Sequence, residues 1–251
     1  MMNPYLSVII PAYNEEKRIT KNLKAISSYL EAQPYSYEII VVNDGSKDNT
    51  AETVRDLGLS IKNLRLIDRK ENRGKGFTVR EGMLNAKGKI RLFTDADNST
   101  DISYFEKMRH FFDKGYDIVI SSRDSKDAPG AGQVIKQPWY KRLLGNLGNL
   151  YIQILAVPGI WDTQNGFKAF RDYAAEKIFK ISRINRWAFD VEALALARKF
   201  NYKVGIIPVL WKNDPNSHVS LLSYARTLFE VLKIFYNIKF DKYPYDKERQ
   251  R

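Results

Sequence analysis

The sequence predicts an α/β fold, a Rossmann-like and mostly parallel sheet with helices on both faces, from two observations. Short runs rich in Val and Ile alternate along the chain with longer stretches in which apolar residues recur every three or four positions. Acidic and amide residues follow directly after several of these runs, where the strands of such a sheet would end. With 251 residues, 44% of them apolar, the chain can bury the core of one large domain.

The apolar runs place six strands in the chain. They are Leu6–Pro11, Glu38–Val42, Leu64–Ile67, Lys89–Thr94, Asp117–Ser121 and Lys203–Val209. Helical spacing predicts a first helix from Ile19, Leu23, Ile26 and Leu30, and a later helix near Phe189–Phe200. Between about Asp124 and Asn165, scattered Gly, Pro and Gln predict a long irregular loop with a functional role.

A last helix is predicted by apolar residues at helical spacing near the C-terminus, at Leu221, Ala225, Leu228, Leu232 and Phe235. Such a helix either packs on the domain or lies in a membrane surface, and the spacing leaves both alternatives open. We therefore divide the chain into a main domain at 1–217, an amphipathic helix at 218–240 and a charged tail at 241–251.

The composition narrows the range of partners. The chain has 41 Lys and Arg against 29 Asp and Glu, and its formal charge of +12 favours nucleic acids, phosphorylated small molecules or an anionic membrane face. The absence of Cys excludes disulfides, thiolate metal sites and cysteine nucleophiles. The sequence has neither the interleaved aromatic and basic residues of RNA-binding modules nor the Gly-x-Gly-x-x-Gly of nicotinamide enzymes. We therefore expect no nucleic-acid partner and no nicotinamide cofactor.

Polar residues gather after four of the predicted strands. The segments are Pro11-Ala12-Tyr13-Asn14-Glu15, Asn43-Asp44-Gly45-Ser46, Asp95-Ala96-Asp97 and Ser122-Arg123. Taken singly, a segment such as Asn43–Ser46 is explained by an ordinary turn and a helix cap. The repetition of polar segments at consecutive strand ends instead predicts a ligand site at the carboxyl edge of the sheet.

Asp95 and Asp97 carry the most specific signal among these residues. Alternate residues leaving a strand can turn two carboxylates toward one cation, and hard oxygen ligands suit Mg²⁺ or Mn²⁺. A second segment, Asn72-Arg73-Gly74-Lys75-Gly76, opens a predicted helix, where glycines and basic side chains favour an anion. A solvated basic turn is the alternative for this second segment. We favour contact with a diphosphate, whose charge requires compensation.

These segments, in this order and spacing, resemble the family 2 glycosyltransferases, whose fold is called GT-A. The likeness continues through Asp162–Lys168 and Arg186–Glu192, which are most similar to polyprenyl-phosphate sugar transferases such as the dolichyl-phosphate β-glucosyltransferases. The resemblance implies inverting transfer of a hexose, glucose from UDP-glucose, to a polyprenyl phosphate of the dolichyl or undecaprenyl type. GDP-mannose as the donor, or a saccharide hydroxyl as the acceptor, is the alternative.

The resemblance also implies residue roles on the donor side, with Mg²⁺ or Mn²⁺ as the cofactor. Asp95 and Asp97 would hold the metal and the diphosphate, and Ser99 stands where mannosyl relatives of the family carry a Gln ligand. The residues that would contact the nucleotide sugar are Pro11, Tyr13, Glu15, Asp44, Arg73, Lys75, Asp95, Gln164 and Asn165.

On the acceptor side, Arg123 and Arg142 resemble the arginines that bind a lipid phosphate, and Asp190 would face the reaction centre. A lipid phosphate is largely ionised near neutral pH because its second pKa is about 6, so positioning arginines matter more than a base. A hydroxyl acceptor would instead require a carboxylate base, for which Asp190 is the candidate. The expected location is cytoplasmic, peripheral on the cytoplasmic face of a membrane.

Overall fold

The computed structural model describes residues 3–133, 139–211 and 221–244, and for residues 139–144 and 221–222 it describes the backbone alone. The strands are β1 (Leu6–Ala12), β2 (Tyr37–Asp44), β3 (Leu64–Arg69), β4 (Ile90–Thr94), β5 (Ile118–Ser122), β6 (Gly132–Gln133), β7 (Phe167–Arg171), β8 (Val204–Pro208) and β9 (Leu210–Trp211). The helices are α1 (Glu16–Glu31), α2 (Thr50–Leu57), α3 (Lys75–Asn85), α4 (Phe105–Asp113), α5 (Trp139–Leu155), α6 (Asp172–Ile181), α7 (Phe189–Lys199) and α8 (Leu221–Lys239).

Seven strands form one sheet in the order β3-β2-β1-β4-β7-β5-β8. All neighbours are parallel except β7, which runs antiparallel to both β4 and β5. Strand β4 follows β3 in the chain but lies on the other side of β1, so the strand order reverses at β1. In open α/β sheets such a reversal opens a crevice for ligands at the carboxyl ends of the strands. The fold class predicted from the sequence is confirmed, and the crevice lies where the polar segments were expected.

Alternate residues of the central strands point to opposite faces, so the sheet carries a hydrophobic core on each side. Ile9 faces one core, which is filled by residues from α3, α6, α7 and α8. Val8 and Ile10 face the other core, which is filled mainly from α1 and α4. The residues that predicted the first helix, Ile19, Leu23, Ile26 and Leu30, are all buried in this second core.

Two elements of the structure differ from the sequence predictions. The segment predicted to be irregular contains the helix α5, because its glycines, Gly145 and Gly148, interrupt the helical pattern without preventing the helix. A Cβ at either glycine would meet no atom within 4 Å, so packing does not require glycine there. Strand β7 was not predicted, because Lys168, its second residue, breaks the apolar run.

Helix α8 forms where the last helix was predicted, but it packs through a different face. Val231 and Ile234 are buried in the core, whereas Leu228 and Leu232 from the predicted apolar face are exposed. Tyr243, which falls in the predicted charged tail, is buried as well. In the described part of the chain, no helix has the length and hydropathy that crossing a bilayer requires.

Candidate active site

The loops after β1 and β2 are tied together at the carboxyl edge of the sheet. The backbone N–H of Asn14 donates to Ser46 Oγ at 2.9 Å, and Asn14 Oδ1 accepts from the N–H of Lys47 at 2.8 Å. Asn14 has a φ of +55°, a left-handed conformation that Asn tolerates better than most residues. This arrangement leaves Tyr13 exposed at the rim, while Pro11 is buried inside β1.

Glu15 lies at the same edge, and the charges of Asp95 and Asp97, the two aspartates predicted to bind metal, affect the pKa of its carboxylate. Burial raises the pKa of Glu15, its ion pair with Arg18 at 2.8 Å opposes that shift, and the charges of Asp97 and Asp95 add to it. The loops after β1 and β4 therefore bring three carboxylates into one electrostatic field.

Asp44, at the end of β2, holds the glycine-containing turn before α3. Its carboxylate is buried and accepts from the backbone N–H groups of Arg73 at 2.8 Å and Gly74 at 2.9 Å. It also pairs with the Arg69 guanidinium. Gly74 has a φ of +96°, which glycine adopts without steric cost. The base contact implied for Asp44 stays a prediction, and its carboxylate already fixes the turn that carries Lys75.

Lys75, the first residue of α3, forms an ion pair with Asp95, and Nζ lies 2.5 Å from Oδ1. Burial alone would lower the pKa of Lys75, but the charges of Asp95 and Asp190 outweigh burial and raise it. Gly166 lies against the Asp95 carboxylate so closely that a Cβ there would overlap its oxygens. The Asp95 carboxylate is thus confined between a lysine and a glycine.

Asp97 and Ser99 complete the edge after β4. Asp97 Oδ1 accepts from the backbone N–H of Ser99 at 2.9 Å, and Ser99 Oγ is buried without a hydrogen-bond partner among the described residues. Those residues contain no group of three His, Cys, Asp or Glu that could hold a metal by themselves. Two carboxylates with an unpartnered hydroxyl suit a Mg²⁺-type cation, which takes its remaining ligands from substrate phosphates and water.

Asp190 and Lys168 form a buried ion pair beneath the crevice. Lys168 on β7 donates to Asp190 Oδ1 at 2.7 Å and to the carbonyl oxygen of Asn165. Burial raises the pKa of Asp190, and the charges of Lys168 and Lys75 oppose that shift. Asn165 Nδ2 is buried with no hydrogen-bond partner in the described part of the chain, whereas Gln164 is exposed at the rim.

Arg123, after β5, is held in a fixed orientation. Its Nε and Nη2 donate to the two oxygens of Asp162 at 2.8 and 2.7 Å, and its guanidinium stacks on the Trp211 ring at 5.0 Å. Burial alone would raise the pKa of Asp162, but Arg123 outweighs burial and holds that pKa below its usual range. Arg142, the second predicted arginine, lies in the backbone of α5, and its side chain is outside the described residues.

The structure brings most of the predicted residues to one edge and adds partners that sequence reasoning did not assign. Lys168, Asp162 and Gly166 each fix a predicted residue, but sequence analysis assigned these three residues no role beyond membership in a motif. A lysine inside an otherwise apolar strand was the available signal for Lys168, since a buried lysine requires a partner. No comparable signal identifies Gly166, because its function depends on a contact between the ends of the neighbouring strands β4 and β7.

The mostly parallel seven-stranded sheet with helices on both faces, and with Asp95 and Asp97 directly after β4, has the architecture of the GT-A class of glycosyltransferases. Residues 7–179 match the family described as Glycosyl transferase family 2, and the chain belongs to that family. The predicted family is therefore confirmed, and the chain is a glycosyltransferase.

Two relatives match nearly the whole chain. A dolichyl-phosphate beta-glucosyltransferase from Dictyostelium discoideum is 39% identical over 248 residues, which are 95% of this chain and 75% of the relative. Another from Trichomonas vaginalis is 35% identical over 246 residues, 93% of this chain and 74% of the relative. Among solved structures, glucosyl-3-phosphoglycerate synthase from Mycobacterium tuberculosis, with Mn²⁺, UDP and product bound, matches with a TM-score of 0.63 at 17% identity. That match covers 97% of this chain and 82% of the other, and it supports the shared fold.

Proposed function

We propose that this glycosyltransferase moves glucose from UDP-glucose to a polyprenyl phosphate of the dolichyl type, with inversion at the anomeric carbon. The observation that carries the proposal is the common name of the relatives, dolichyl-phosphate beta-glucosyltransferase, which occurs in organisms as distant as Trichomonas vaginalis and Saccharomyces cerevisiae. These relatives match 86% or more of this chain, so the likeness extends beyond the nucleotide-binding half.

The donor diphosphate would lie at the edge formed by Asp95, Asp97 and Lys75. The two aspartates, with Ser99 Oγ beside them, would hold Mg²⁺ or Mn²⁺, and the metal would neutralise the diphosphate leaving group. Lys75 would supply a second positive charge to the same phosphates, since its ion pair with Asp95 is partly exposed to water. The nucleoside would extend toward Tyr13 at the rim and Arg73 on the turn.

The acceptor phosphate would lie on the opposite side of the crevice, at Arg123. Asp162 holds two of the guanidinium nitrogens, which fixes the plane of the group before any ligand binds. A phosphate oxygen would be met by Nη1, the nitrogen that Asp162 does not hold. Arg142 is proposed as the second acceptor arginine from its position on α5.

A lipid phosphate is already an anion, so its attack on the anomeric carbon requires little proton removal. Asp190 fits this chemistry because its carboxylate is buried and one of its oxygens accepts from Lys168. We therefore assign Asp190 a positioning role on the sugar side of the site. Asp190 holds Lys168, and Lys168 in turn holds the loop at Asn165. A hydroxyl acceptor would instead need an accessible carboxylate as its base.

The acceptor lipid would be reached from a membrane surface. Helices α5 and α8 pack together, and each leaves apolar side chains exposed on its outer side. The exposed residues are Leu147, Leu150 and Ile154 on α5, and Leu228, Phe229, Leu232 and Tyr236 on α8. With a formal charge of +12, such a face would hold the protein peripherally on the anionic cytoplasmic side of a membrane.

A transfer assay with a panel of donors tests this function. Purified protein would be incubated with radiolabelled UDP-glucose, UDP-N-acetylglucosamine or GDP-mannose, a short prenyl phosphate and Mg²⁺ or Mn²⁺. We expect label from UDP-glucose to become lipid-extractable, and the label to be lost in excess EDTA. Label from GDP-mannose alone would replace the proposed donor, and transfer to a saccharide but not to the prenyl phosphate would replace the proposed acceptor.

The proposed membrane face has its own test. The protein should sediment with anionic phospholipid vesicles at low salt and less at high salt, since salt screens surface charge. Phe229→Ser, which removes an exposed aromatic ring, should lower the vesicle partition constant by about tenfold or more, because burial of an aromatic side chain contributes about 1.5–3 kcal/mol. Thr53→Ser on α2, far from this face in the chain, is the control. Equal sedimentation of all three proteins would contradict the proposal.

A further inference from the structure

An irregular segment, residues 182–188, lies between α6 and α7 and forms one wall of the turn that carries Lys75. A Cβ at Gly74 would lie 2.5 Å from the carbonyl oxygen of Asn185, and one at Gly76 would lie 2.7 Å from that of Ile184. The backbone N–H of Phe77 also donates to the Asn185 oxygen at 3.1 Å. Because nothing larger than hydrogen fits between them, the position of the 182–188 segment fixes the position of the turn.

A buried carboxylate without a role in the transfer chemistry holds this segment from its other side. Glu192 on α7 accepts from the backbone N–H groups of Arg183 and Ile184, each at 2.9 Å. Burial raises the pKa of Glu192, and its hydrogen bonds oppose that shift. A third donor is the Tyr243 hydroxyl at 2.6 Å, which comes from the segment after α8. Glu192 thus joins the 182–188 segment to the C-terminal part of the described chain.

A second carboxylate reaches the same segment directly from α8. Glu230 Oε2 accepts from the backbone N–H of Ala188 at 3.0 Å. The neighbouring residue, Trp187, has its ring 5.8 Å from Lys75 Nζ, and its carbonyl oxygen accepts from Gln164 Nε2 at 3.5 Å. The segment is therefore held near its end by Glu230 of α8, and near its start by Glu192 of α7, which accepts from Tyr243 in the segment after α8.

We infer that Glu230 and Tyr243 are positioning residues for the donor site, and that α8 sets the placement of Lys75 through the 182–188 segment. The inference rests on the proposed function in one respect, the assignment of Lys75 to the donor diphosphate. Neither residue touches the proposed ligands, so each acts through backbone N–H groups of the segment. Helix α8, which exposes its apolar face, is in this way also part of the donor site.

Substitutions of Glu230 separate positioning from general stability. Gln at this position keeps an oxygen that can accept from Ala188, whereas Met has a similar length and no acceptor. In Glu230→Met the KM for the nucleotide sugar and the Kd for UDP should each rise about fivefold, within the roughly two- to thirtyfold range for contacts that act through a network. Glu230→Gln should stay within about twofold of the parent, and the KM for the prenyl phosphate should be unchanged in both variants.

Lys233→Met is the matched control, because it removes an exposed charge from the next turn of the same helix with the same new residue. Tyr243→Phe tests the other anchor. It removes one hydroxyl while keeping the buried ring, and it should raise the same two constants about twofold. Tyr243→Phe also keeps the inference testable if Glu230→Met does not fold.

The outcomes separate the inference from the function on which it rests. A parent protein that binds neither UDP nor UDP-glucose overturns the proposed function and the inference with it. A parent that binds and transfers, with Glu230→Met and Tyr243→Phe equal to it in donor KM and UDP Kd, overturns the inference alone. Equal rises in donor and acceptor KM would assign both residues a merely structural role and would also overturn it.

Discussion

Two lysine–aspartate pairs lie at the same edge of the sheet, and water reaches only one of them. The side chains of Lys75 and Asp95 are 25% and 31% exposed, whereas those of Lys168 and Asp190 are 0% and 4% exposed. In a partly exposed ion pair, one side chain can leave its partner and bind a ligand, because water solvates the charge that is left behind. In a buried pair this is not possible, since removing one charge leaves the other without solvation. The first pair suits ligand binding and the second suits the scaffold.

The two pairs are connected through a short loop. Lys168 donates to the carbonyl oxygen of Asn165, and the next residue, Gly166, lies against the Asp95 carboxylate. The buried pair thus fixes the loop that limits where the exposed pair can lie. This arrangement predicts that damage to the buried pair lowers stability first, while damage to the exposed pair lowers activity first.

Lys168→Met should have the largest effect. It leaves the Asp190 carboxylate buried without its cation, which costs about 3–5 kcal/mol in the free energy of unfolding. For a chain of this size each kcal/mol shifts Tm by roughly 2–4 °C, so calorimetry should show a fall of roughly 6–20 °C. The variant with both Lys168→Met and Asp190→Asn should recover part of that loss, because no uncompensated charge remains.

Lys75→Met is the matched comparison for this prediction. Because the Lys75–Asp95 pair is partly exposed, its loss should change the free energy of unfolding by about 1 kcal/mol or less. Equal destabilisation by Lys75→Met and Lys168→Met would remove the distinction between the two pairs. Failure of Asp190→Asn to relieve the Lys168→Met variant would show that the lysine stabilises by packing and not by charge.

Asp97→Asn should have the largest effect on transfer. It keeps the size of the side chain and its acceptor for the Ser99 N–H, but it removes one of the two charges proposed to hold the cation. Loss of one electrostatic stabiliser typically lowers kcat by about 10²–10³-fold. Steady-state kinetics would measure the loss, and a Tm within a few degrees of the parent would exclude unfolding as its cause. Full activity of this variant, or of the parent in excess EDTA, would refute the metal assignment.

Gly166→Ala should act on the exposed pair without removing any charge. The added Cβ overlaps the Asp95 carboxylate and forces it away from its position beside Lys75. Misplacement of a reacting or binding group by about 1 Å can lower the rate about 10²-fold, and we expect a loss of ten- to a hundredfold in kcat/KM. Gly148→Ala on α5 is the control, because its Cβ would meet no atom within 4 Å. Equal activity of the two variants would contradict the steric account.

The sequence was sufficient to place β1 to β5 and β8, because buried parallel strands appear in a sequence as short apolar runs bounded by polar residues. It was not sufficient for β7, whose Lys168 is tolerated only because Asp190, twenty-two residues later in the chain, is folded beneath it. Helix α5 was missed for a local reason, since Gly145 and Gly148 lower helix propensity without blocking the helix.

For the site, the sequence located the edge but not the couplings within it. Asp95, Asp97 and Lys75 were predicted because each stands at the end of a strand or the start of a helix. The pairing of Arg123 with Asp162 joins residues 39 positions apart, and no periodicity encodes such a distance. Side chains that meet across loops were therefore identified from the sequence only as members of a motif. The structure was needed to show which partner each of them contacts.

The last comparison adds a third pair, Arg123 and Asp162, whose exposure lies between those of the other two. Arg123 holds the pKa of Asp162 below its ordinary value of 3.8, so the folded state binds this proton less readily than the unfolded chain. The stabilisation is then complete above about pH 4 and is lost as pH falls through the lowered pKa. Asp162→Asn should therefore reduce stability at pH 6 and flatten the fall in urea midpoint below about pH 4. A variant at position 162 that keeps the parent's full acid dependence would show that this ion pair contributes nothing to stability, and the fixed orientation of Arg123 would then need another cause.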